Sequence, residues 1–374
     1  MQFTREMIDN VSVKYGKAFL RGGTKHINAL IEAALADGSR CATVTGNWDM
    51  EAHIRIPSDF TLILDGCNLK MADATFDNMF VNEHHGTELG KTIEGTDRNI
   101  KLLGKNGATL YGGTFNGLSE RTSGKNGMPH VSKNTLIFFT NVDGFETAGL
   151  ALYNFRWWAM NHIYCRNGHI HDIDLKADDT CIDANGNVYH GLAPTRFLDI
   201  LIKQADGIDV RVGCQNLIIE NIRGLAEDDS VALTGVPSEM EREYAVEGLS
   251  GDICNITVRH IYTCATDACV RLLAQGGAKL HDILVEDVCD ISDKHPGMAG
   301  RCTQVIRVND SAFIYNSHHN EVGDCYNITI RNIRSRAINS VYLGGNPIDN
   351  FVLENVKVFD GGGDVDNYWD EHWE

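Results

Sequence analysis

Apolar residues recur along the chain in a short, repeated frame. Leu217-Ile-Ile-Glu-Asn-Ile-Arg223, Ile256-Thr-Val-Arg-His-Ile-Tyr262, Ile283-Leu-Val-Glu-Asp-Val-Cys289, Ile328-Thr-Ile-Arg-Asn-Ile-Arg334 and Phe351-Val-Leu-Glu-Asn-Val-Lys357 each place apolar side chains at the first, third and sixth positions and a polar pair at the fourth and fifth. A two-residue period broken by a polar pair predicts a strand, a sharp bend and a second strand. The same pattern is present at Ile170-His-Asp-Ile-Asp174 and Phe197-Leu-Asp-Ile-Leu-Ile202. The interval between copies runs from 23 residues (Ile328 to Phe351) to 45 (Ile283 to Ile328), as a constant rung with loops of variable length requires. Such a rung cannot bury its apolar face alone, and stacking successive rungs in parallel creates one continuous core. The predicted fold is all-β, a parallel β-helix.

One segment departs from this rhythm. Thr24 is placed to cap a helix through Ile27, Leu30, Ile31, Ala34 and Leu35 that ends at Gly38. An open solenoid end exposes unpaired backbone, and a helix across it removes that edge. Ala42-Thr-Val-Thr45, Phe60-Thr-Leu-Ile-Leu64 and Ile100-Lys-Leu-Leu103 then read as the first coils. The whole of 1–374 forms one solenoid domain, with a cap over about residues 1–40, a tail over about 360–374 and the coils that carry the chemistry over about 170–275. Asn216, Asn255, Asn327 and Asn350 recur beside the rungs and predict an amide ladder inside the coil. The acidic, aromatic tail from Asp364 to Glu374 either covers the last coil or meets another subunit of a homo-oligomer.

A net charge of −18 supplies no basic stripe for nucleic acid or an anionic membrane surface. The opening residues lack a cationic, apolar leader and no long apolar run occurs, so a cytoplasmic protein is expected. The eleven cysteines are odd in number and lack metal-ligand spacings; Cys254, Cys289 and Cys325 lie beside rungs as buried thiols. His84-His85 and His318-His319 stand in polar segments, where hydrogen bonding is the ordinary role of histidine. Neither a metal nor a cofactor is expected.

The chemistry concentrates in carboxylates. Gln204-Ala-Asp-Gly-Ile-Asp209 is followed by Glu227-Asp-Asp-Ser230, and alignment of the apolar frames puts Asp178-Asp179, Asp206, Asp228-Asp229 and Asp267 at comparable corners. Parallel rungs lie about 4.8 Å apart, so these acids repel one another unless protonated or paired. Turn capping or a calcium site is the alternative for the group, and more so for Asp178, Asp179, Asp183 and Asp267 taken singly. Paired carboxylates are the usual equipment for cleaving a glycosidic bond. Trp157 and Trp158 are adjacent and point to opposite faces of a strand, one into the core and the other available to stack on a sugar. The segments from Ser238 to Glu247 and from Ile291 to Arg301 interrupt the rhythm near this region, as walls of a groove or as neutral insertions.

On these residues the chain resembles the polygalacturonase family of glycoside hydrolases (family 28), which adopt the right-handed parallel β-helix of the pectin-lyase type. The matching segments are Leu64-Asp-Gly-Cys-Asn68, the Gly-rich Gly104-Lys-Asn-Gly-Ala-Thr-Leu-Tyr-Gly-Gly113, Phe155-Arg-Trp-Trp158, Gln204-Ala-Asp206 with Asp209, Asp228-Asp229, Val246-Glu-Gly-Leu-Ser250 and Arg271-Leu-Leu273. Glu247 stands where the family has histidine, Leu273 where it has lysine and Gln204 where it has asparagine.

The resemblance implies an inverting hydrolase of an oligosaccharide, with Asp228 as general acid and Asp206 and Asp229 activating water, the carboxyls roughly 6.5–9.5 Å apart. It further implies substrate contacts from Gln204, Asp209, Arg271 and, as a stacking platform, Trp158. Glu247 either relays a proton or binds a hydroxyl, while Arg271 either binds substrate or neutralises surplus carboxylates. Without the lysine a galacturonide is disfavoured, and loops closing a groove suggest exo action. The competing readings are a β-helix lyase, epimerase or fructan-type transferase, and a non-catalytic carbohydrate-binding β-helix. A lyase needs a basic residue near the sugar's α-carbon, and the candidate coils are poor in these.

Overall fold

A computed structural model describes residues 17–72, 75–112, 131–155, 157–177, 181–182, 188–189, 205–236, 238–276, 278–295, 302–310, 320–359, 361–367 and 369. The chain winds as a right-handed parallel β-helix, as its apolar frames predict. One sheet runs in the order Cys41–Val44, Thr61–Asp65, Asp97–Lys105, Val142–Tyr153, Arg166–Lys176, Gln215–Leu225, Ile253–Cys264, Leu280–Asp290, Cys325–Ser335 and Asp349–Val358. A second sheet of ten shorter strands includes Ile137–Thr140, Met160–Ile163, Ile208–Val210, Val231–Gly235, Ala268–Ala274, Gln304–Val308 and Asn339–Leu343. Neighbouring strands in both sheets pair in parallel, so each coil contributes one strand to each sheet. Most of the buried apolar side chains form one column from Ile27 to Ile348, and a second cluster lies around Phe138, Met240 and Tyr244.

The polar pair of the repeated frame marks a bend. Its second member, at Asn221, His260, Asp287, Asn332 and Asn355, has φ between 54° and 61°. That left-handed conformation costs most residues about 1–2 kcal/mol, and Asn and Asp bear it best. The bend splits each long strand into two faces; in the early coils the two parts are separate strands, Thr61–Asp65 and Asn68–Met71. Replacing Asn332 with valine is expected to lower stability by about 1–2 kcal/mol, with Asn332→Gly much closer to wild type. Urea unfolding of the two variants checks this, and equal losses would remove the bend as the cause.

A second left-handed column, Asn167, Asn216, Asn255, Asp282, Asn327 and Asn350, opens each long strand. The amide ladder is present: Asn216 donates to Asn167 (3.1 Å), Asn255 to Asn216 (3.2 Å), Asn327 to Asp282 (2.8 Å) and Asn350 to Asn327 (2.8 Å). Its position differs from the expectation. The asparagines are exposed, on the outside of the coil.

The cap helix spans Gly23–Ala36 and seats Ile27, Ile31 and Ala34 on the first coil, while Gly38 (φ 77°) follows its end. Thr24 is not the cap. It lies inside the helix and bonds the turn at Ala52, while the Glu51 carboxylate accepts the amides of Gly22 (2.6 Å) and Thr24 (3.4 Å). At the other end Trp369 packs on Phe351 and donates to the Gly344 carbonyl (3.0 Å), so this part of the tail covers the last coil. Cys254 and Cys325 are buried free thiols and Cys289 is a half-buried one. Asp178, Asp179, Asp183, Phe197–Ile202, Gln204 and His318-His319 lie outside the described residues, as do 296–301 and, in the tail, 360, 368 and 370–374. No described helix is long and apolar enough to cross a membrane.

Candidate active site

The corner that leads into the second sheet places one acid after another. Asp206 precedes Ile208–Val210, Asp228 and Asp229 precede Val231–Gly235, and Asp267 precedes Ala268–Ala274. Backbone bonds lock these turns together: Asp228 N–H to Ala205 C=O (3.1 Å), Gly207 N–H to Asp229 C=O (2.8 Å) and Asp267 N–H to Asp228 C=O (3.3 Å). The carboxylates join the same ladder, since Asp206 Oδ1 accepts the Asp229 amide (3.2 Å) and Asp229 Oδ1 accepts the Ala268 amide (3.0 Å). One oxygen from each of Asp206, Asp228 and Asp229 lies within 4.8 Å of the others. Asp229 is buried and Asp206 nearly so, whereas Asp228 is half-exposed and reaches the surface.

That crowding reshapes acidity. Burial pushes the Asp229 carboxyl well above the usual range, and repulsion from Asp267 adds to it against the pull of Arg271. Asp267 is raised chiefly by burial, with Arg307 opposing. Asp209, wholly buried, is pushed up to about 7 by desolvation, against Arg211 and with repulsion from Asp229. The corner thus holds protons that free aspartates would release, and they belong to the cluster as a unit.

The sign for Asp209 is definite. Between its ordinary value of 3.8 and about 7 the folded chain keeps a proton that the unfolded chain releases. Its contribution to stability therefore falls as pH rises through that window and levels off above. Asp209→Asn is expected to remove this slope, so the variant gains stability relative to wild type as pH rises from about 4 to about 7. Thermal melts across the window test it, and a pH-independent difference would contradict it.

Two guanidinium groups that the sequence did not single out complete the site. Arg211 is buried two residues after Asp209, just beyond the end of the strand Ile208–Val210, bonded to Glu241 (2.6 Å) and Asp209 (3.3 Å), with its guanidinium 4.9 Å from the Trp158 ring centre. Arg307 lies beside Arg271 in register and meets Asp267 (2.6 Å) and Asp310 (2.6 Å). Arg271 contacts Asp310 (2.7 Å), Asp267 (3.1 Å) and Asp229 (3.5 Å). Two arginines and two aspartates thus close a square next to the trio, and Arg271 is paired within it. The signal was available: Val270-Arg-Leu272 and Ile306-Arg-Val308 are the same frame on successive coils.

The remaining expected residues fall as follows. Trp157 is buried with Ala205, and half-buried Trp158 borders Arg211. Leu273 is buried. Glu247 is exposed, and its amide bonds the Lys91 carbonyl (3.2 Å), so it belongs to the outer loops rather than to a relay beside the trio. The segment from Ser238 forms a short helix, Glu239–Glu243, whose Met240 packs with Tyr244 on Val81, Phe138 and Ile163, over the coils before the trio. His84 bonds Asp97 (2.8 Å), and His85 is buried between Phe138 and Tyr244, where burial lowers it to about 3. By spacing alone, Asp206–Asp228–Asp229 and Glu83–His84–Asp97 are the described groups able to hold a cation. In the second, Asp97 is already occupied by Ser58, Asn82 and His84.

The trio is tighter than the separation the family resemblance implies. Adjacent rungs bring these acids together, and one oxygen of each lies within 4.8 Å of the others, short of the roughly 6.5–9.5 Å between an inverting acid and base.

No protein-family model matches the sequence, and no curated protein matches it. Solved structures do match in fold. One is named 1,3-alpha-1,4-beta-D-galactose-4-sulfate-3,6-anhydro-D-galactose-2-sulfate 4 galactohydrolase (10% identity, TM-score 0.57, covering 98% of this chain and 94% of that one). A polygalacturonase from Erwinia carotovora matches at 14% identity and TM-score 0.51, covering 86% of this chain and 87% of that one. A tailspike protein of E. coli bacteriophage HK620, in complex with a pentasaccharide, matches at 13% identity and TM-score 0.58, covering 96% of this chain and 64% of that one. At these identities the likeness establishes the fold; membership of the polygalacturonase family does not follow from it.

Proposed function

We propose that the chain is a glycoside hydrolase that cleaves an oligosaccharide at the Asp206–Asp228–Asp229 corner. The observation that carries this reading is the trio itself: three carboxylates on two adjacent coils, two sequestered from water and one at the surface, in a cluster that retains protons. A crowded set of acids is costly to fold around, and its use is to carry a proton where a glycosidic oxygen must receive one. In the reactive form of this shared titration Asp228, the most exposed, carries the proton and delivers it to the leaving oxygen, while Asp206 and Asp229, both ionised, hold and deprotonate the attacking water. Fold likeness to a galactohydrolase and a polygalacturonase supports the reaction class. The helix Glu239–Glu243 and the Trp158–Arg211–Glu241 wall stand on one side of the trio, which supports exo action on short chains.

Incubation with a panel of oligosaccharides tests the reaction class by product mass. Hydrolysis yields fragments that together gain one water. Unsaturated fragments without that gain would assign a lyase, and rearranged ones a transferase.

A second reading of the stereochemistry rests on the short spacing. Retaining enzymes hold their two carboxyls about 5–5.5 Å apart, nearer to what the trio offers, and Asp206 would then attack the sugar directly. Proton NMR of the first-formed anomer separates the two: inversion keeps Asp206 and Asp229 as water holders, and retention makes Asp206 the nucleophile.

A further inference from the structure

Five carboxylates of the site, those of Asp209, Asp229, Asp267, Asp310 and Glu241, share three guanidinium groups, with Asp206 and Asp228 beside Asp229. Each guanidinium is committed. Arg211 is held between Glu241 and Asp209, and Arg271 and Arg307 are each bridged by both Asp267 and Asp310. These contacts are short, and Arg211 and Arg271 are buried. Drawing one of these cations towards an incoming anion would strand buried carboxylates without partners, a cost that ordinarily exceeds what a surface ion pair returns. Protonation of the raised acids does not reverse the balance. Each guanidinium keeps a second acid partner when the raised acids hold their protons: Arg211 keeps Glu241, and Arg271 and Arg307 keep Asp310. Leu273, buried beside Arg271, adds no cation at the next position but one along that strand.

We infer that the substrate is an uncharged oligosaccharide, and that sugars carrying carboxylate or sulfate groups are rejected, because every guanidinium described at this corner is already neutralised by the protein's own acids. The inference rests on the hydrolase reading for where the sugar binds, and it parts the chain from its fold neighbour whose name specifies a galactose sulfate. Discrimination of this kind follows from that commitment: an anionic sugar would have to displace one of the protein's own acids from a guanidinium, while neutral hydroxyls need no such exchange.

Calorimetric titration of wild type and Asp228→Asn tests this with matched pairs: neutral galactan, glucan and mannan oligosaccharides against galacturonate oligosaccharides and sulfated galactans, each with a chelator and again with added calcium. The expected result is binding of at least one neutral series, with its acidic counterpart at least tenfold weaker in both proteins. In the double variant Asp267→Asn/Asp310→Asn, two guanidiniums lose their acid partners and the acidic sugar is expected to gain affinity relative to the neutral one. Acidic sugars binding as tightly as neutral ones, acidic binding that appears only with calcium, or no binding of any neutral series would overturn the inference. Product analysis on the same sugars keeps the two readings apart. Neutral sugars bound by wild type but left uncut would sink the hydrolase reading and leave the charge preference standing, while efficient cleavage of the acidic sugars would do the reverse.

Discussion

Asp228→Asn is expected to lose about 10²–10⁴-fold in turnover, with substrate affinity little changed and the thermal melt close to wild type. Asparagine matches the shape of aspartate and cannot protonate a leaving oxygen. Asp228 is the half-exposed member of the trio, and its backbone amide, which the substitution retains, makes the bond to Ala205 that holds the corner. The folding cost of the change is therefore small, because removing one of three crowded carboxylates relieves repulsion. Asp206→Asn and Asp229→Asn should also impair turnover. Asp229→Asn additionally alters the acceptor for the Ala268 amide, so its effect mixes chemistry with local order. Steady-state rates for the three variants, with melts alongside, check the assignment. An Asp228→Asn protein with wild-type turnover would remove it from the acid role.

The largest loss of stability is expected at Arg211. Its guanidinium is buried between Glu241 and Asp209, and Arg211→Met leaves Glu241 without its cation in a site closed to water. Breaking one partner of a buried ion pair costs about 3–5 kcal/mol, mostly the stranded charge rather than the lost attraction. Asp209 can answer by keeping its proton, since burial already holds it up to about 7. Glu241 is the group left exposed to the penalty. The double variant Arg211→Met/Glu241→Gln should accordingly recover a large part of the loss. Urea unfolding of the single and double variants measures this, and equal losses in the two would show that packing against Trp158 dominates instead.

The fold was legible because its repeat is local. Apolar residues at the first, third and sixth positions fix the rung, and the polar fifth position, such as Asn332, is where the left-handed bend falls. Pairing between asparagines was legible too, but its side was not. Left-handed asparagines occur on both sides, Asn216 exposed and Asn141 and Asn309 buried, so neither apolar periodicity nor residue type encodes which way Asn216 points. The cap helix followed from its apolar face, yet its N-terminal partner is Glu51, almost thirty residues on, and Thr24 was the nearer but mistaken choice.

The site divides in the same way. Asp206, Asp228, Asp229 and Asp267 were found because each precedes an apolar frame on neighbouring coils, so alignment of the frames brings them together. Arg211 and Glu241 were missed because their meeting depends on the excursion that carries the Glu239–Glu243 helix back over the second sheet. Glu247, expected on the strength of a motif to relay a proton or bind a hydroxyl, follows the same excursion, with its amide on the Lys91 carbonyl. Arg307 lay within reach of frame alignment, and Asp267 pairs with it as well as with Arg271.

The most direct test of the central claim is hydrolysis in water enriched in oxygen-18, with wild type, Asp206→Asn, Asp228→Asn and Asp229→Asn compared on the sugar that wild type cleaves. Wild type is predicted to place one heavy oxygen on the newly formed reducing end, and each variant to release that product far more slowly. Cleavage without incorporation of solvent oxygen, or labelled product formed at the wild-type rate by all three variants, would contradict hydrolysis at this corner.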